Sequence, residues 1–367
     1  MISDAPTGSS TRSAKGYESS YFLMKNRQFL LIALLVLVAV ALVLGYRLYQ
    51  RVLAPGVFLR AGSVVYYIED TVSYPALRQE LLDSGWVRDV RVFDLLAERK
   101  GLKDVVRPGR YRLTDGMSLN ELVNMLRSGR QEPVKLVLRP QRTLDDLIAF
   151  LDLQLQPGEE DFRQALRSDS LLGSLNLNSE QILLLPVPNT YEVWWTVTAP
   201  DFAQRMAREY QSFWNDERRR NAESIGLEPA EVGILASIVQ QETNKREEMP
   251  TIAGVYLNRL RKGMLLQADP TVKFALGRPE LRRILHRHLV IDSPYNTYRY
   301  PGLPPGPIIM PEPQVIDAVL QAEHHSYLFF CARADLSGYH AFARTDGEHA
   351  RNARAYRRAL NQRGIYR

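Results

Sequence analysis

Residues Glu231–Lys245 read EVGILASIVQQETNK. Their spacing predicts a helix that is apolar for two turns and then sets a glutamate on its apolar side. Leu235, Ile238 and Val239 lie seven, four and three residues before Glu242, so all share its face, whereas Gln240, Gln241 and Thr243 fall elsewhere. A carboxylate on an apolar face is desolvated, and desolvation disfavours its charged form. Its pKa moves towards the range where it can hold and donate a proton near neutrality. The plainer reading is an ion pair with a buried arginine such as Arg259, or a cap at the end of the face. Spacing alone leaves these alternatives open. Glu247 and Glu248, in KREEMP, read as solvated.

Two segments downstream hold further polar groups. QADPTVKFALG brings Gln267, Asp269 and Thr271 together before a short helix. Asp269 precedes Pro270 at a natural helix start, where capping is the ordinary role. SPYNTYRYPGLPPGPI sets Tyr295, Asn296 and Tyr298 among prolines and glycines. Such a segment loses little entropy on ordering and presents rigid aromatic and amide groups, which suit sugar rings and hydroxyls. The alternative is a stiff surface loop tied to the core by its tyrosines.

Upstream, DFAQRMAREYQSFWNDERRRNAESIGL has Phe202, Met206, Tyr210 and Trp214 at steps of four, the pattern of one long amphipathic helix. Residues 140–185 are polar with two expected helices. Between 62 and 139 the chain reads as a compact βααβαβ-like unit. Its strands are VVYYI (Val64–Ile68), RYRLT and PVKLVL (Pro133–Leu138), and Asp115-Gly116 makes a turn before Ser118, with Glu121 three residues on as a capping box. After Gly263 the texture turns extended, then gives a helix, the strands YLFFCA and YHAFAR, and a C-terminal helix.

Near the start, Phe29–Tyr46 reads FLLIALLVLVAVALVLGY without a charge. That is long enough for a membrane-spanning helix, and no small-residue cleavage site follows it. An uncleaved anchor is expected over 29–46, behind a disordered tail over 1–28. Arg12 and Lys15 place the tail inside and nearly all the mass outside the cytoplasm. The 367 residues carry a formal net charge of +6. That suits an anionic polymer or a membrane surface, but no basic run is dense enough to argue for nucleic acid. The single cysteine, Cys331, excludes a disulfide framework and reads as a buried small hydrophobe.

Several chemistries are absent from the sequence. There is no HExxH, the histidines lack zinc-site spacing, and GxSxG, SxxK and phosphate-binding glycine loops do not occur. No metal or organic cofactor is called for. What remains is one acid, an aromatic-amide loop and an extracytoplasmic position.

The motifs ASIVQQET, VYLNRLRKGMLLQADPTVKFALG and SPYNTYRYPGLPPGPI resemble the signature segments of the YceG-like endolytic murein transglycosylases. RPGRYRLTDGMSLNELVNMLRSG resembles that family's LysM-like region, PVPNTYEV resembles a further segment, and the single N-terminal anchor agrees. The likeness covers roughly residues 60–350. The family's catalytic glutamate lies in an ExET neighbourhood. Here Gln240 or Gln241 replaces its first acid, so only Glu242 fills the role. Asn189 stands where the family often has aspartate, and Met310-Pro311-Glu312 where an Asn-Pro-Gly turn is common.

The resemblance implies an α+β protein with a transmembrane helix, a small LysM-like domain (62–139) and a mixed catalytic domain (140–360). It implies non-hydrolytic cleavage of the β-1,4 bond between N-acetylmuramic acid and N-acetylglucosamine, leaving 1,6-anhydro ends and terminating nascent strands beside penicillin-binding proteins. Gln267, Asp269, Thr271, Tyr295, Asn296 and Tyr298 are expected to line the sugar cleft. Two alternatives are an inactive glycan-binding scaffold and a muramidase that uses water. The latter needs a second carboxylate about 5–9.5 Å from the first, for which Asp269 is the candidate.

Overall fold

The computed structural model describes residues 14–281 and 283–364. The chain divides into two compact units, Met1–Glu132 and Pro133–Arg367.

The first unit begins with helix α1 (Ala14–Leu53). Within it, Phe29–Leu53 has a mean hydropathy of 3.0. A helix of that length runs roughly 37 Å, enough to cross a hydrocarbon core by length and composition. The tail expected over 1–28 lies outside the described residues as far as residue 13; from Ala14 the backbone is helical. Strand β1 (Ser63–Ile68), helices α2 (Tyr74–Asp83) and α3 (Val90–Arg99), strand β2 (Gly109–Thr114) and helix α4 (Leu119–Ser128) follow. β1 and β2 pair antiparallel, Ser63 opposite Thr114 and Ile68 opposite Gly109. Their inner residues, among them Ile68, Tyr111 and Leu113, are buried with Leu77, Phe93 and Leu122 from the helices. The expected capping box forms: Ser118 Oγ accepts from the Glu121 N–H, and the Glu121 carboxylate accepts from the Ser118 N–H.

The second unit opens with β3 (Val134–Leu138), α5 (Leu144–Asp152), α6 (Glu159–Leu166), α7 (Asp169–Ser174) and β4 (Asn189–Val193). β3 forms as a strand but pairs antiparallel with β4, Leu136 opposite Tyr191, so it belongs to this unit rather than the one before. Its alternation of buried and exposed residues explains why: Val134, Leu136 and Leu138 face the same core as Leu147 and Phe202. Residues 140–185 hold three short α-helices rather than two.

The long helix expected from Asp201 is two helices, α8 (Ala199–Phe213) and α9 (Asp216–Ile225). Trp214 leaves helical geometry, and the Asn215 side chain accepts from the Arg218 N–H to start α9. The apolar spacing is real, since Phe202, Met206, Tyr210 and Trp214 are all buried, but the N-cap at Asn215 ends the helix just after them.

Helix α10 (Pro229–Glu242) is the one with which the sequence reading began. Val232 to Val239 are buried without a gap, which makes it an enclosed helix rather than a surface one. Against it pack α11 (Met249–Arg261), α12 (Asp269–Ala275) and α14 (Pro313–Leu320), with α13 (His286–Leu289) between the last two in sequence. The hairpin β5 (Phe329–Ala332) and β6 (His340–Ala343) and helix α15 (Asp346–Gln362) complete the unit. The molecule is thus a mixed helix-and-sheet protein with one N-terminal apolar helix.

Candidate active site

Glu242 is the last residue of α10, and Thr243 takes up extended geometry immediately after it. The buried helix therefore carries its terminal carboxyl to the wall of a cleft of about 450 Å³, a size typical of sites that hold small ligands. The cleft is lined by Glu242, Tyr256 and Arg259, by Leu266, Gln267, Asp269 and Tyr298, and by the hairpin residues Leu328–Ala332 with His340, Asp346 and His349.

Glu242 is partly open to the cleft, yet protein surrounds it closely enough for desolvation to push its pKa from 4.5 up to about 7. The hydrogen bond from Tyr256 Oη to Glu242 Oε1, 2.5 Å long, works the other way, and the charge of Asp269 raises the value again. Burial dominates. The Tyr256 phenol, desolvated and beside this carboxyl, is held well above its ordinary range and stays a donor.

Asp269 is the first residue of α12; Ala268 occupies the capping position, with no side-chain cap. The Asp269 carboxylate instead accepts from Tyr298 Oη at 2.6 Å, within the cleft. Gln267 lies in the left-handed region at φ 52°, a conformation that costs a non-glycine residue on the order of 1 kcal/mol or more. Its N–H donates to the Thr297 carbonyl and its side-chain oxygen accepts from Arg259 Nη1, which holds the strained geometry and keeps its amide in the wall.

The structure brings together Glu242, Gln267, Asp269 and Tyr298. It does not bring Thr271, Tyr295 and Asn296 into the same wall. Thr271 is fully buried, donating to the Ala268 carbonyl and meeting Thr297 Oγ1 at 2.9 Å. Asn296, 0 % exposed, donates to the carbonyls of Leu289 and Ile291 and accepts from the Tyr298 N–H. Tyr295 donates to Glu180 Oε2 and its ring lies 4.8 Å from Phe274. These three shape the loop that presents Tyr298, and their polar atoms already have protein partners. The stiff-loop alternative therefore describes this half of the segment.

Three other expectations change. Arg259 forms no ion pair with Glu242: Nε donates to the Leu328 carbonyl and Nη1 to those of Leu265 and Leu266. Glu248 is buried rather than solvated, accepting from the His340 N–H and meeting His340 Nδ1 at 3.0 Å. Cys331 is half-buried in the cleft wall rather than fully buried. Sequence reading missed Tyr256 and did not place the two expected hairpin strands in the cleft wall. Tyr256 sits in the VYLNRLR motif, but nothing in its spacing shows that it faces an acid on another helix. Among the described residues no group of three His, Cys, Asp or Glu could hold a metal ion.

Gln240 connects two places where the motifs are unusual. Its side-chain oxygen accepts from the Glu312 N–H, and its amide reaches the Met310 carbonyl, so the glutamine on α10 holds the Met310-Pro311-Glu312 turn. Beside it, Ser237 Oγ accepts from the Ile308 N–H.

An enclosed helix ending in a desolvated carboxyl, in a cleft with two further carboxylates and tyrosines, defines a site equipped for acid–base chemistry. The chain belongs to the YceG-like family, whose sequence model matches residues 66–355. It is 27% identical over 313 residues to the endolytic murein transglycosylase of Bacillus subtilis strain 168, covering 79% of this chain and 84% of that protein. It is likewise 27% identical over 361 residues to the endolytic murein transglycosylase of Streptococcus pneumoniae D39, covering 88% of this chain but 64% of that protein, less than two thirds of its length. The fold matches the crystal structure of a YceG-like protein from Listeria monocytogenes, with a TM-score of 0.51 and 25% identity over 79% of this chain and 98% of the other.

Proposed function

We propose that this protein is a membrane-anchored endolytic lytic transglycosylase that cleaves murein, with Glu242 as its acid. The observation that carries the reading is the single carboxyl pushed to about 7 by burial in a cleft. It is supported by the names of the relatives. Glu242, protonated, donates to the glycosidic oxygen between N-acetylmuramic acid and N-acetylglucosamine as the C1–O bond breaks. The carboxylate then takes the proton of the muramyl C6 hydroxyl, whose oxygen bonds to C1 and closes a 1,6-anhydro ring. No water is consumed, so no second carboxylate need activate one, and an intramolecular nucleophile has the advantage of proximity. Gln267, Asp269 and Tyr298 contact the sugar.

In this reading the apolar part of α1 anchors the protein in the cytoplasmic membrane with the N-terminus inside and the cleft outside. The 62–139 region is a LysM-like domain, residues 140–360 form the catalytic domain, and the enzyme terminates nascent strands beside penicillin-binding proteins. The test is a digest of uncrosslinked peptidoglycan strands by the full chain in detergent, with the new ends identified by mass spectrometry, beside Glu242→Gln. Anhydromuramyl ends that vanish in the variant are expected. Reducing muramic ends would make water the nucleophile, and full cleavage by folded Glu242→Gln would end the mechanism.

A further inference from the structure

We propose that Tyr256 is the positioning residue for Glu242: its hydroxyl pins Oε1, so that Oε2 alone carries the catalytic proton into the cleft. Glu242 ends its helix and is followed by extended chain, so the backbone restrains its side chain on one side only. Among the described residues the hydrogen bond it receives is the one from Tyr256 Oη. Tyr256 is held from every direction. It lies on α11, is 2 % exposed, and its ring meets Phe330 of β5 edge-on with centroids 5.9 Å apart. A neutral carboxyl has one proton and the phenol has one. With the phenol proton directed at Oε1, the proton of the acid belongs on Oε2, the oxygen left without a protein partner. The donor cannot lose its proton in the working range, because burial and the adjacent carboxyl hold the phenol well above its ordinary pKa. The charged groups that act on Glu242 from α12 are Asp269, which favours the protonated form, and Lys273, which opposes it. Neither hydrogen-bonds the carboxyl, the bond from Tyr256 being the one it receives among the described residues, so orientation falls to Tyr256.

The inference rests on Glu242 being the acid, and the test separates the two. Tyr256→Phe keeps the ring and removes the hydroxyl. The expected result is a fall in kcat of about tenfold or more with KM nearly unchanged, the loss of one hydrogen bond to an ionisable group. The alkaline limb of kcat/KM against pH moves up by about one unit, because the bond that stabilised the carboxylate is gone. If Tyr256→Phe does not fold, a fluorinated tyrosine at 256, with a more acidic phenol of the same shape, moves the limb down. A dead Glu242→Gln beside Tyr256→Phe with wild-type kcat and limb overturns the inference alone. An active Glu242→Gln overturns the functional reading and the inference with it.

Discussion

Removing the proposed acid should stabilise the protein, and only at high pH. Glu242 has an ordinary value of 4.5 when unfolded and about 7 when folded. Between those values the folded chain binds more protons than the unfolded one, so this residue lowers stability as pH rises through the interval. The shift spans about 2.5 pH units at about 1.4 kcal/mol each, a ceiling of about 3.5 kcal/mol. Partial opening to the cleft screens the charge and reduces this to about 1.5–3 kcal/mol. Glutamine does not titrate, and its side-chain oxygen can still accept from Tyr256. Glu242→Gln should therefore gain stability over wild type between pH 4 and pH 8 by that amount. At about 2–4 °C per kcal/mol for a unit of this size, the gap in Tm should widen by about 3–12 °C. Paired thermal melts at the two pH values measure it. A constant pH-independent offset between the two proteins would not matter, since only the change in the gap is at issue. Identical pH dependence in both would show that Glu242 is not held protonated by burial, and the argument for its acid role would fail.

Asp269→Asn removes a charge that raises Glu242, so the alkaline limb of activity should move down, opposite to Tyr256→Phe; a pH profile reads the sign. Asn296→Ala deletes three buried hydrogen bonds and should cost about 2–4 kcal/mol in urea unfolding. A stable Asn296→Ala that no longer binds glycan would return this residue to the sugar contacts. Gly306→Ala places a methyl against the Glu180 carbonyl and beside Tyr295 Oη. It should destabilise by about 1–3 kcal/mol, and a neutral result in the same melts would mean that the loop shifts freely.

The desolvated position of Glu242 was legible because its signal is local: three apolar residues on one helical face. The capping box at Ser118 and the strand and helix order near the chain's C-terminus were legible for the same reason. Asn296 and Thr271 were misjudged because residue type suggests what a side chain can bond, while the partner is set by the fold. An asparagine whose amide bridges two carbonyls of its own loop looks, in sequence, like one that would meet a sugar. The α8–α9 break was hidden because buried spacing continues through Trp214 while the backbone does not. β3 was assigned to the wrong neighbour because its partner, β4, lies some fifty residues away, and strand pairing at that separation leaves no local trace.

The bonds of Arg259 have a mechanical consequence. One planar guanidinium reaches the Leu328 carbonyl at the start of the hairpin and the Leu265 and Leu266 carbonyls beneath the opposite wall. The gap between those walls is therefore gauged by the fixed width of a single side chain. A rigid spacer of this kind sets an aperture in advance of any ligand, so the cleft admits what fits its standing width.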